Sequence, residues 1–174
     1  MRDILKGFLD APLSAKLGLV TITAYLIVAT FAPVIAPYSE TEILGGAYEL
    51  WSEEYLLGTD NLGRDMLSRL IFGARNTIGI ALAAVIIAFA IGGATGMLCA
   101  ILGGWYDTII SRIVDILMAI PSLVFALLIL TILGTSMTTL VLVIAVLDST
   151  RVYRITRAAA MNVAVMDYVE VARL

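Results

Sequence analysis

The positions of the charged residues constrain this chain most, because long stretches carry none. Residues 17–39 give 23 uncharged positions, 76–106 give 31, and 116–147 give 32. A helix needs about 20 apolar residues to cross a bilayer. The composition points the same way: 61% of the 174 residues are hydrophobic and 14% are charged, and the mean hydropathy is +1.01. A soluble domain of this size could not hide so much apolar side chain, because small domains leave a large share of their surface to water.

Other counts exclude whole classes of chemistry. The chain has no His and a single Cys, Cys99. Imidazole acid–base catalysis, internal disulfides and multi-cysteine metal centres are therefore outside its reach. A net charge of -3 provides no basic footprint for nucleic acid.

The first run predicts a span over 17–36, ending near Pro33 and Pro37. Its apolar stretch exceeds the roughly 7–15 residues of a cleaved signal peptide, so it reads as an uncleaved anchor. The second run predicts a span over 77–102, closed by Gly103 and Gly104. The third is too long for one straight span and short of two, but Gly134-Thr135-Ser136 interrupts it. Two spans, 113–133 and 137–157, then place Asp148 and Arg151 within or near the membrane.

Basic residues decide between three spans and four. With four spans and an inside N-terminus, eight Lys and Arg lie inside and three outside; with three spans the numbers become four and seven. The positive-inside rule favours four. The expected organisation is an N-terminal cytoplasmic segment 1–16, spans 17–36 and 77–102 joined by an external loop 37–76, a cytoplasmic loop 103–112, spans 113–133 and 137–157, and a cytoplasmic segment 158–174. The fold class is an all-α membrane protein.

The external loop is acidic, with Glu40, Glu42, Glu49, Glu53 and Glu54 around Tyr48, Trp51 and Tyr55. It suits either contact with an extracellular partner or a solvated loop whose aromatics rest at the membrane interface. Gly58 and Gly63 have the spacing of a phosphate loop, but Arg64 and Asp65 stand where Lys and Ser or Thr are required. The stretch instead predicts a turn in which Thr59 or Asp60 caps a short amphipathic helix with Met66, Leu67, Leu70, Ile71 and Ala74 on one face. In the second span Ala84, Ala88, Gly92, Gly96 and Ala100 recur every fourth position. Such a stripe allows close approach of another helix, either of this chain or of a second subunit. Arg112 and Asp115 are spaced to pair on a helix, and Pro121 should kink or break one. Arg151, Arg154 and Arg157 can reach the inner headgroups.

Several segments in this order resemble one family, the inner-membrane permeases of ABC importers for dipeptides and oligopeptides, in particular the C-type subunit of the pair. Pro12–Gly18 followed by Phe31–Tyr38 is similar to its N-terminal segment. LGTDNLGRDMLSRLIFGAR, from Leu57 to Arg75, resembles its signature stretch between the first two spans. SRIVDILMAIPSL, from Ser111 to Leu123, looks like its lead into the third span. Tyr168-Val169-Glu170-Val171-Ala172-Arg173 resembles the opening of the cytoplasmic EAA motif, with Val171 where Ala is usual.

This resemblance implies no catalytic, cofactor-binding or metal-binding residue in the chain. It implies two paired permeases, separate ATPase subunits that bind ATP, and an extracytoplasmic substrate-binding protein, in a bacterial or archaeal plasma membrane. Asp167, Tyr168, Glu170, Val171, Ala172 and Arg173 would couple the permease to an ATPase. Because the family pattern continues beyond Leu174, the chain is expected to be the front part of a larger permease bundle. Nickel or glutathione permeases are the related alternatives, and a small non-transporting membrane scaffold is the alternative of a different class. A secondary transporter is disfavoured, since no internal repeat is visible.

Overall fold

A computed structural model describes residues 12–164. Among the described residues the regular structure is helical, apart from an isolated bridge between Thr59 and Asp65. The chain divides into two compact units, Met1–Gly79 and Ile80–Leu174. The boundary falls inside a long helix.

The first helix, α1, covers Leu13–Ile35. Pro33 sits in its last turn, and the helix closes with the Ala36 amide on the Ala32 carbonyl at 3.0 Å. The second, α2, covers Met66–Leu102 without interruption. At 37 residues it is about 55 Å long. The amphipathic stretch expected within the loop 37–76 is the first part of α2 and runs directly into the second span. No proline occurs between Asp65 and Leu102, so nothing forces the chain out of helix before Gly103. The cap differs from the one expected. Asp65, rather than Thr59 or Asp60, accepts the Ser68 amide at 2.7 Å and satisfies one of the free N–H groups that open a helix.

Gly103 and Gly104 turn the chain with φ of 58° and 59°, a region open to glycine at little cost. Helix α3 follows at once, over Gly104–Ala119. Most of the expected loop 103–112 is therefore helical, with Asp107 in the first turn, where a negative charge meets the positive end of the helix dipole.

The expected span 113–133 is not one rod. Helix α3 stops at Ala119 and α4 covers Ser122–Leu133, at 91° to it. Pro121 has no amide to donate and crowds the carbonyl four residues back, and the residue before it is driven to extended backbone. Ile120 adopts that conformation, with φ -85° and ψ 130°. Gly134, at φ 86°, then reverses the chain into α5, Met137–Ala164. Ser136 opens α5 by accepting the Thr139 amide at 3.1 Å.

The protein is an all-α membrane protein. Among the described residues α1 and α2 are long and apolar enough to cross a membrane, and the bent pair α3 and α4 makes a third if it counts as one span. The segment expected as the fourth, 137–157, lies inside α5, where Asp148, Arg151, Arg154 and Arg157 break the apolar run. Within the second unit α3 and α4 both pack on α5.

Candidate functional site

In the first unit the LGTD…GRD stretch builds a small polar knot. Thr59 donates its hydroxyl to the Gly46 carbonyl at 2.7 Å and accepts the Glu49 amide at 2.8 Å. The Leu44 amide reaches the Gly63 carbonyl at 2.9 Å, and the Tyr48 amide reaches that of Asp60 at 3.0 Å. Gly63 has φ +76°, and a Cβ there would lie 2.1 Å from the Gly45 carbonyl oxygen. Only glycine fits both demands.

The carboxylate of Asp60 is the centre of the knot. It accepts the amides of Leu62 at 2.8 Å and Arg64 at 3.0 Å, the Arg64 Nε at 2.8 Å, and the guanidinium of Arg69. Burial pushes this carboxyl up, but the amide and guanidinium of Arg64 and the Leu62 amide outweigh it and hold it well below the usual carboxylate range. With every acceptor position so occupied, Asp60 is a structural anion. Ser68 is fully buried and accepts the Tyr38 amide at 3.1 Å. Tyr55 is buried with its ring 6.1 Å from that of Tyr38, while Tyr48 and Trp51 project into the open, Trp51 at 80% exposure.

In the second unit the small-residue stripe meets α5. A Cβ on Gly92 would lie 2.4 Å from the Ser149 carbonyl oxygen and 2.8 Å from the Val152 Cβ. One on Gly96 would lie 2.8 Å from the Tyr153 carbonyl oxygen. Glycine at both positions lets two helix backbones come into contact, which is how helices gain packing energy where water supplies no driving force. Ala84 and Ala88 are buried, and Ala100 is half-buried. At Gly92 and Gly96 the close neighbour is thus a helix of the same chain.

Helix α5 also holds α3. Arg157 donates from Nε and an NH2 group to both carboxylate oxygens of Asp107, fifty residues away. Such a fork on a carboxylate is among the stronger polar contacts a protein makes. One turn along α3 from Asp107, Ser111 shares a hydrogen bond of 2.8 Å with the Tyr153 hydroxyl. Tyr153 is buried in a cluster with Cys99 and Val114, flanked by Tyr106 and Ile110. Helices α2, α3 and α5 are therefore locked together at this end of the unit.

The three arginines expected to reach headgroups have other partners. Arg157 takes Asp107, Arg154 points an NH1 group at the Met118 sulfur 3.7 Å away, and Arg151 pairs with Asp148 at 3.2 Å. The expected Arg112–Asp115 pair does not form among the described residues, where both side chains are exposed. Helix pairs favour the acid on the N-terminal side. Asp148–Arg151 has that order and Arg112–Asp115 does not.

The expected coupling residues Asp167, Tyr168, Glu170, Val171, Ala172 and Arg173 lie outside the described residues. Helix α5 leads toward them through Ala164. The Asp107–Arg157 lock was not visible in the sequence, because its partners are too far apart for any local spacing rule. Among the described residues no group of acidic, His or Cys side chains could hold a metal ion.

Residues 92–174 match the family described as binding-protein-dependent transport system inner membrane component. The chain is 40% identical over 162 residues to a dipeptide transport system permease protein of Haemophilus influenzae, which covers 89% of this chain and 55% of that protein. It is 34% identical over 157 residues to an oligopeptide transport system permease protein of Bacillus subtilis, covering 89% and 51%. A glutathione transport system permease protein of Pectobacterium atrosepticum is 28% identical over 176 residues, covering 99% and 58%. The chain spans about half the length of these curated relatives. Its residues 92–174 belong to the family of binding-protein-dependent transport system inner membrane components.

Proposed function

We propose that this chain is a transmembrane subunit of an ATP-driven importer for dipeptides or oligopeptides. It forms part of the translocation path and carries no catalytic residue of its own. The observation that carries this reading is the 40% identity to a dipeptide permease along 89% of the chain. The helices add mechanical support. The close packing of α5 on α2 at Gly92 and Gly96 makes a stiff unit, and α5 continues in sequence toward the EAA-like segment. A lever of that kind suits transmission of nucleotide-driven closure from ATPase subunits to the spans.

The partners that follow are a second permease subunit, ABC ATPase subunits and an extracytoplasmic binding protein. The setting is a bacterial or archaeal plasma membrane crossed several times, with the N-terminus cytoplasmic. The residues from Asp167 to Arg173 would seat in the ATPase, and the small-residue stripe from Ala84 to Ala100 would serve packing. A second reading, glutathione uptake, is favoured by the relative that aligns over 99% of the chain. Glutathione is itself a short peptide.

The test is uptake by the importer that contains this subunit, reconstituted in proteoliposomes with its partners. ATP-dependent accumulation of labelled dipeptide supports the reading. Accumulation of glutathione without dipeptide shifts it to the second reading, and failure to accumulate either overturns both.

A further inference from the structure

The right-angled break at Pro121 leaves a cavity of about 380 Å³ between the ends of α3 and α4 and the face of α5. That volume lies within the usual range of about 300–1,000 Å³ for small-molecule sites. Most of its wall is apolar, including Leu117, Pro121, Ala126 and Ile144. Its charged lining residues are Asp148 and Arg151. A second cavity of about 400 Å³ between α4 and α5, near Phe125 and Val143, has no charged lining at all.

The Asp148–Arg151 pair is open, with side chains 40% and 67% exposed. Asp148 lies eleven residues into α5, about 16 Å along its axis. There the charged pair interrupts the apolar run of α5. Ionisable side chains on an otherwise apolar helix mark a path or site more often than a structural contact. A broken helix among apolar spans is likewise tolerated where it lines a cavity. The two features coincide here.

We propose that this cavity is a subsite for the two charged termini of a short peptide, with the ammonium on Asp148 and the carboxylate on Arg151. The proposal rests on the peptide-importer reading. Three physical arguments select this ligand. A peptide of two residues reaches at most about 7 Å, and side chains three apart on a helix start about 5–6 Å from one another, so both ends can be engaged at once. The occupant and the pair are each neutral overall, so binding replaces one ion pair with two and leaves no net charge in the membrane. A lone cation would satisfy Asp148 and leave Arg151 facing like charge. The broken helix agrees in sign. The end of α3 lines the cavity through Leu117 and Met118, where a cation is favoured, and the start of α4 lines it through Ser122 and Leu123, where an anion is favoured.

The experiment uses the assembled importer in proteoliposomes. A Ser122→Cys reporter in a Cys99→Ala background is alkylated with and without L-alanyl-L-alanine, and modification of this subunit is followed by mass. The dipeptide is expected to slow alkylation at least threefold, and N-acetyl-dialanine amide, which lacks both charges, to have no effect. This comparison needs no change at the ion pair. Asp148→Asn and Arg151→Gln are each expected to abolish the protection. No protection, equal protection by the blocked peptide, or protection that survives both substitutions would overturn the subsite. Dipeptide uptake by the parent importer is measured in parallel. Uptake without protection sinks the subsite alone, whereas no uptake sinks the peptide reading and the subsite with it.

Discussion

Asp107 and Asp148 each meet an arginine of α5, but in different settings. Asp107 and Arg157 are 19% and 29% exposed, come from two helices, and sit beside the Ser111–Tyr153 bond and the buried Cys99 cluster. Asp148 and Arg151 come from one helix, are more than twice as exposed, and face a cavity. The first pair joins elements that would otherwise separate, and its many supporting contacts leave it no freedom to exchange partners. The second holds nothing together and keeps both charges available. Two contacts of the same chemistry thus serve opposite ends, and the difference lies in what surrounds them.

The Asp107 lock sits where α5 lies against α2 and α3, so Gly92→Leu should have the largest effect. Its side chain would occupy the space of the Ser149 backbone, at a cost of about 3 kcal/mol or more, near the upper end for overpacking. The check is thermal unfolding in detergent; an unchanged Tm would break the assignment of α5 as the neighbour of Gly92. Next, Asp107→Ala should destabilise by about 2 kcal/mol, in the range for hydrogen bonds to charged groups, because it leaves the Arg157 guanidinium half-buried and unpaired. Ser111→Ala should cost about 1 kcal/mol, read in the same melts. The smallest effect on stability is expected for Asp148→Asn, below about 0.5 kcal/mol, as for exposed ion pairs in general. A loss there as large as at Asp107 would erase the distinction between the two sites.

The sequence already contained part of this picture. The C-terminal ends of α1 and α2 follow from the prolines at 33 and 37 and from the glycines at 103 and 104, and the break at Pro121 follows from the missing amide. Other features were hidden for physical reasons. The Arg69 contact to Asp60 spans nine positions through a turn, which no helix spacing rule foretells, and the amphipathic stretch runs into the second span without a break. The segment 103–112 looked like a loop because it is short and opens with two glycines, yet Asp107 favours a helix start. Arg112 and Asp115 have the spacing of a pair in the less favourable order. Arg157 finds Asp107 only through tertiary structure, across fifty positions of sequence. The resemblance to permeases rests on the order and spacing of motifs along the chain.

The most direct test is a side-by-side measurement of Asp107→Asn and Asp148→Asn in the assembled importer. For each variant the Tm is recorded together with ATP-driven dipeptide uptake per folded subunit. Asp107→Asn should lower the Tm and largely retain uptake per folded subunit. Asp148→Asn should keep the Tm and lose uptake about tenfold. Equal losses in both quantities for both variants, or undiminished uptake by Asp148→Asn, would contradict the division between a lock and an exchangeable pair.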